Sequence, residues 1–302
     1  MILRKIVQLS ARSRSFARGG ADRGVRMFSE RSVVFNLEDS GKVGVVTLNK
    51  PGRLNAMTVS MGQDFETIMK EMPSTVKAVV ITAEGRAFSA GGDLRFLEER
   101  ANDTPINNAE EMMLFYKRYL SMRDLGVPLI SAINGPAVGA GLGLAMATDI
   151  RISYNGCSFS FNYSRVGLHP GLATTLFTPM LIGYENAYRM LLTGDTINGT
   201  EAKKLGLISQ CVEKKEQVLP EAIELASRIV AQPEAGVVTM LQTLRESQKV
   251  AHRNIEAVLR READAQAQCY AAPELAEAVA DAKAKLSAKG RVFRPTFSSR
   301  RH

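Results

Sequence analysis

Residues 125–148, LGVPLISAINGPAVGAGLGLAMAT, form the longest stretch of the chain without a charged side chain. A segment of that kind is buried, either in lipid or in a protein core. Its length alone admits a membrane span, but Pro128, Asn134, the Gly135-Pro136 break and the three glycines after it interrupt a continuous lipid-facing helix. It reads instead as a buried strand, LISAIN, turning through a glycine-rich loop into a compact buried helix, AGLGLAMA. Such a unit needs apolar cover on both sides, which an α/β domain supplies.

The flanking sequence offers that cover. SVVFNL (32–37) and VGVVTL (43–48) are β-branched runs joined by the polar turn EDSGK, the pattern of a hairpin. From Met57 the apolar residues fall at 57, 61, 65, 68, 69 and 72, one face of a helix that Pro73 ends. KAVVITA (77–83) is another buried strand, and Met112, Phe115, Tyr116, Tyr119 and Leu120 mark a second amphipathic helix. After about Ala187 the strand patterns nearly cease, and Glu216 to Ala288 reads as helices punctuated by Pro233 and Pro273. The expected organisation is a leader over 1–28, an α/β core over 29–214 and a helical region with a basic tail over 215–302.

The formal charge of +8 is carried at the ends. Residues 1–28 hold seven basic residues against Asp22, and residues 281–302 hold seven against Asp281, so each end is +6 and the body between them is −4. A mildly acidic body argues against a nucleic-acid surface, although the basic tail leaves an electrostatic route open. The first segment is rich in Arg and Ser and nearly free of acids, the composition of an organellar import presequence. Arg26 followed by Met27, Phe28 and Ser29 resembles a matrix-processing site, which implies a mature chain starting near residue 29 and a mitochondrial matrix address. The alternative is a solvated basic arm. Cys157, Cys211 and Cys269 lie far apart, without Cys-x-x-Cys spacing or histidine companions, so neither a metal site nor a disulfide framework follows.

The glycine-rich loop has a sibling in AFSAGGDL (87–94), which also follows an apolar strand and precedes a helix. Neither matches the dinucleotide or nucleotide-phosphate glycine patterns. Each instead places small residues where a strand gives way to a helix, and the first amides of a helix have no acceptor within it. Two such turns on neighbouring strands can aim amides at one oxygen.

PGRLNAMT, AFSAGGDL, AINGPAVGAGLGLAMATDIR, VGLHPG, LLTGDTINGTEAKKLGLI and FRPTF, in that order between about residues 33 and 298, resemble landmarks of the crotonase superfamily, the enoyl-CoA hydratase/isomerase family. The resemblance implies a ββα spiral, a helical C-terminal region that packs as a trimer or a dimer of trimers, and an acyl-CoA thioester substrate. It implies no cofactor beyond the CoA that enters as part of the substrate, and a lyase or isomerase role in fatty-acid or branched-chain acyl-CoA metabolism. By motif position the amides of Ala90 and Ala140 would hold the thioester oxygen as it becomes an enolate. Arg53, Leu54, Ala87, Ser89, Gly91, Asp93, Gly141 and Gly143 match positions along the substrate groove, and Lys289 and Phe297 fall in the segment that would close over the adenine end.

The chain departs from the family pattern where hydratases carry two glutamates, which here read Gly143 and Tyr163, and where other members carry an aspartate, here Gly171. Water addition needs a general base and an acid, so ordinary two-glutamate hydration is in doubt. Tyr163 and His169 are the candidates for proton work; Asp93 is a third that more often supports the loop. Against an enzyme with a two-amide oxyanion hole stand a noncatalytic acyl-CoA-binding pseudoenzyme and an RNA-binding homologue.

Overall fold

The computed structural model describes residues 31–252 and 255–289. The chain opens with the expected hairpin, β1 (Val33–Glu38) paired antiparallel with β2 (Val43–Leu48). α1 (Val59–Lys70) follows; its Thr58 cap accepts the Met61 amide at 3.1 Å, and it buries Met61, Phe65 and Met69, spaced four residues apart. β3 (Ala78–Ala83) is buried at every position and leads to α2 (Leu94–Ala101) and α3 (Pro105–Leu120). The uncharged run then supplies β4 (Leu129–Ala132), β5 (Ala137–Val138) and α4 (Ala140–Met146).

β6 (Ile150–Tyr154) and β7 (Ser158–Ser160) come next, then the long α5 (Thr174–Thr193), β8 (Thr196–Asn198), α6 (Gly199–Leu205) and β9 (Gln210–Val212). α6 begins in a capping box, with Asn198 and Glu201 each bonded to the other's backbone amide. Beyond β9 the regular elements are α7 (Val218–Val230), α8 (Glu234–His252), α9 (Ile255–Tyr270) and α10 (Pro273–Lys289).

Six strands form one sheet in the order β1-β2-β3-β4-β6-β9, parallel from β2 onward, and β5-β7-β8 form a second. Strands of a parallel sheet covered on both faces are apolar throughout rather than alternating, and VGVVTL and AVVITA are of that kind. On one face Val46, Val79, Ile81 and Leu129 join the main core with Phe65, Phe115, Tyr119 and Leu142. On the other, Val43, Val45, Val80, Ile130 and Ile152 meet Val218, Ala222 and Ala226 of α7. α7 thus packs on the sheet, while α9 lies along α3. Burying a Phe such as Phe65 contributes roughly 1.5–3 kcal/mol.

The run over 125–148 is accounted for by burial inside this core, and among the described residues no helix is long and apolar enough to cross a membrane. The loops leaving the carboxyl ends of β3 and β4 lie side by side, because those strands pair in parallel. That edge of a parallel sheet is where α/β folds place ligands.

Candidate active site

The site begins at a left-handed turn. Leu54 and Asn55 have φ of 53° and 52°, directly after Pro51-Gly52-Arg53. Asn55 is buried and knits three segments: its Oδ1 accepts the Lys50 amide at 2.7 Å, and its Nδ2 donates to the carbonyls of Glu84 and Ala87, each at 2.9 Å. The Ser89 hydroxyl donates to the Asn55 carbonyl at 2.7 Å and accepts the Gly91 amide at 3.2 Å. The loop after β3 is therefore anchored to the turn before α1 by bonds that exclude water and fix its path.

The loop after β4 is zipped to the first. The amides of Phe88 and Ser89 donate to the Pro136 carbonyl, and the Val138 amide donates to the Ser89 carbonyl at 3.0 Å. This closeness explains two glycines. A Cβ on Gly141 would stand 2.5 Å from the Ser89 Cβ. One on Gly91, whose φ is +90°, would stand 2.8 Å from the Val138 oxygen and 3.5 Å from the Ala140 nitrogen.

Within this patch the backbone donors divide into engaged and free. The Ala90 amide donates to the Leu54 carbonyl at 2.9 Å, so it is not open to a substrate oxygen. Ala90, expected from motif position to offer its amide, thus has that amide occupied in this structure. Two residues on, the Gly92 amide meets no acceptor among the described residues, and neither does that of Ala140, the first residue of α4. The carbonyl of Gly91 and the amide of Asp93, on either side of Gly92, are bonded to Met57. That flanking pair holds the free N–H of Gly92 in place.

The acid/base candidates divide as well. A Cβ at Gly143 would lie 2.6 Å from the Thr174 hydroxyl oxygen, and one at Gly171 would collide with the Tyr116 hydroxyl. The volume a carboxylate side chain would fill is thus held by Thr174 and Tyr116. The Tyr163 ring reaches the patch, 3.9 Å from the Cβ position of Gly139, beside Ala140. Its hydroxyl is buried without a hydrogen-bond partner, and burial pushes the phenol well above its ordinary range, so it carries its proton at every physiological pH. Thr174 and the Gly171 backbone moderate that shift without forming a well-shaped bond to the hydroxyl.

His169 is half-buried, with Nδ1 2.7 Å from the Pro170 carbonyl. A donating Nδ1–H leaves Nε2 as an acceptor, and burial, with Arg261 adding to it, lowers the imidazole below its ordinary value. Its contacts run to Pro170, Arg261 and Gln266, none of which belongs to the two amide loops. Asp93 caps α2 by accepting the Arg95 amide at 2.9 Å and lies 3.6 Å from Arg53, a supporting position. Among the described residues no cluster of His, Cys, Asp and Glu has the form of a metal site.

With this geometry in place, the sequence profile of the enoyl-CoA hydratase/isomerase family matches residues 38–281. The chain belongs to the enoyl-CoA hydratase/isomerase family. A probable enoyl-CoA hydratase of Mycobacterium tuberculosis is 32% identical over 247 residues, covering 80% of this chain and 94% of that protein. A probable mitochondrial enoyl-CoA hydratase of Dictyostelium discoideum is 30% identical over 208 residues, 68% of this chain and 73% of that protein. The crystal structure of an enoyl-CoA hydratase/isomerase from Mycobacterium paratuberculosis superposes with a TM-score of 0.73 at 26% identity, covering 83% of this chain and 98% of the other.

For a member of the enoyl-CoA hydratase/isomerase family, the groove positions expected from sequence fall into distinct groups. Arg53 is exposed and Leu54 half-buried at the left-handed turn. The side chains of Ala87 and Ser89 are buried, and Ser89 is occupied with Asn55 and Gly91, so these two shape the loop and do not line an open groove with their side chains. Gly91, Gly141 and Gly143 are buried too. Lys289 closes α10, and Phe297 and the leader over 1–28 lie outside the described residues. Asn55, Thr174, Tyr116 and, from α9, Glu262 were missed. The Asn in PGRLNAMT was the one available signal, since a polar residue inside a motif of small and apolar ones marks a buried hydrogen-bond hub.

Proposed function

We propose that the chain is an acyl-CoA thioester enzyme in which the amides of Gly92 and Ala140 receive the thioester oxygen and stabilise it as an enolate. The observation that carries the reading is that two loops bonded to each other each present unengaged amides, Gly92 in one and Ala140 at the open start of α4 in the other, where those of Gly141 and Leu142 are also free among the described residues, while the neighbouring Ala90 amide is engaged. Donors fixed before charge develops stabilise a transition state more than a substrate, and one such donor is worth roughly a hundred- to a thousand-fold in rate. Small residues at 90–92 and 139–141 let a thioester approach the main chain.

Tyr163, neutral and beside Ala140, is suited to donate a proton and unsuited to remove one. With Gly143 and Gly171 packed against Thr174 and Tyr116, the site favours reactions that form or quench a thioester enolate over two-carboxylate hydration. Isomerisation and decarboxylation pass through that enolate, and thioester hydrolysis places negative charge on the same oxygen in a tetrahedral intermediate. The packing of those two positions also favours a second reading, an acyl-CoA-binding protein without turnover.

The basic, acid-poor leader supports import into the mitochondrial matrix, in line with the mitochondrial designation of the Dictyostelium relative. Self-association as a trimer or dimer of trimers is supported by an apolar stripe on α5: Tyr184, Tyr188 and Leu192 are 56%, 61% and 72% exposed. The deciding experiment incubates the chain from residue 29 with saturated, 2-enoyl, 3-enoyl and malonyl-type CoA esters, following products by mass and chemical shift. Turnover of at least one ester supports the enzyme; tight binding with no product supports the second reading; no binding contradicts both.

A further inference from the structure

Glu262 is fully buried and has no part in the chemistry above. It projects from α9 to the start of α5, where Oε2 accepts the Ala173 amide at 2.8 Å and Oε1 accepts the Thr175 amide at 2.9 Å and the Thr175 hydroxyl at 2.5 Å. The segment it holds is strained: Leu172 and Ala173 are consecutive non-glycine residues with φ of 59° and 55°. Backbone of that kind persists only where surrounding bonds enforce it.

What the turn delivers is Thr174. Its hydroxyl donates to the Gly171 carbonyl at 2.5 Å, fills the space beside Gly143, and stands by the unpartnered Tyr163 hydroxyl. One helical turn beyond Glu262, Gln266 accepts the Tyr116 hydroxyl and donates to the His169 carbonyl at 3.1 Å. One face of α9 therefore ties down the 169–175 segment and Tyr116.

We propose that Glu262 is a positioning residue: in its ionised form it holds the Leu172–Ala173 turn closed and so places Thr174 and Tyr163 against the acyl group. The inference rests on the enolate reading of the site. An ionised carboxylate accepts from all three donors around it, whereas protonation gives up one of these bonds, because the new O–H competes for the Thr175 hydroxyl, which must turn round to accept. Burial opposes ionisation and raises the carboxyl to about 7, with the Thr175 and Ala173 donors pulling the other way. The titratable groups that interact with it are Tyr116 on α3 and Tyr163 after β7, and both phenols stay protonated through this range. Loosening the turn withdraws the Ala173 and Thr175 donors while the carboxyl stays buried on α9, so relative to that loosened state the closed turn is favoured above neutrality and lost below it.

The test measures pH profiles of kcat and KM on whichever CoA ester turns over, for the wild type, Glu262→Gln and Thr175→Val. Amide exchange over residues 168–178 is followed at pH 6 and 8, corrected for intrinsic rates. The wild type is expected to lose kcat on an acid limb near pH 7, and to protect the segment at least tenfold better at pH 8. In Glu262→Gln the limb and the pH difference vanish, and kcat falls tenfold or more with KM within twofold. In Thr175→Val, which removes one donor to the carboxylate, the limb moves to higher pH.

A Glu262→Gln variant that keeps both the limb and the kcat overturns the proposal. If that variant does not fold, an unshifted limb in Thr175→Val overturns it. Should no ester turn over, the enolate reading fails, and exchange alone judges the latch: pH-independent protection of the segment in the wild type refutes it.

Discussion

Proline at position 140 removes one proposed donor with little other change. Ala140 is the first residue of α4, where proline is tolerated because its missing N–H has no partner inside the helix, and the preceding Gly139 escapes the usual restriction before proline. Ala140→Pro is expected to lower kcat about a hundredfold or more while leaving the melting temperature near that of the wild type; steady-state kinetics with thermal unfolding checks both. Gly143→Glu restores a carboxylate to the motif but not to the site, since its Cβ meets the Thr174 hydroxyl oxygen at 2.6 Å. It is expected to destabilise by about 1–3 kcal/mol in denaturant unfolding and to gain no crotonyl-CoA hydration; a variant that hydrates at wild-type stability would contradict the packing described. At this scale the motifs located the two loops; of the two amides they pointed to, that of Ala90 is engaged and that of Ala140 is not, while the Gly92 amide is also free among the described residues. Which amide is engaged depends on where the Leu54 carbonyl ends up, a consequence of a left-handed turn in a distant segment that loop spacing does not encode.

Among the elements, α9 links the C-terminal region to the site through Glu262, and this fixes the sign of a stability effect. Its carboxyl is raised from 4.5 to about 7 on folding. A group raised in this way contributes stability that is fully present below the unfolded value and lost as pH rises through the folded one. The loss is on the order of 3 kcal/mol between about pH 4 and pH 8. Denaturant unfolding across this range is expected to show that decline in the wild type and not in Glu262→Gln; parallel curves would contradict it. The ionisation that sharpens the turn before α5 therefore weakens the fold as a whole. Most elements were legible: apolar periodicity located the hairpin, α1, β3, α3, β4 and α4 to within a few residues. The attachment of α7 to the sheet and of α9 to α3 and α5 was not, because an amphipathic helix announces a buried face without naming what it faces.

For the molecule as a whole, the stripe of Tyr184, Tyr188 and Leu192 on α5 is large, apolar and on one helical face. Light scattering of the chain from residue 29 is expected to give a mass that is a multiple of three protomers, reduced by Tyr188→Asp with Leu192→Asp; an unchanged mass would remove the stripe from the interface. Family membership and the α/β core were readable because the landmark motifs occur in order along nearly the whole chain, and the profile match over 38–281 agrees. The account as a whole turns on two main-chain donors acting on one carbonyl, which vibrational spectroscopy observes directly. The infrared difference spectrum of a bound acyl-CoA carrying a 13C-labelled thioester carbonyl is expected to show that stretch displaced to lower frequency in the wild type and largely restored to its solution position in Ala140→Pro. A bound carbonyl that absorbs where it does in water, or a displacement that survives in Ala140→Pro, would contradict it.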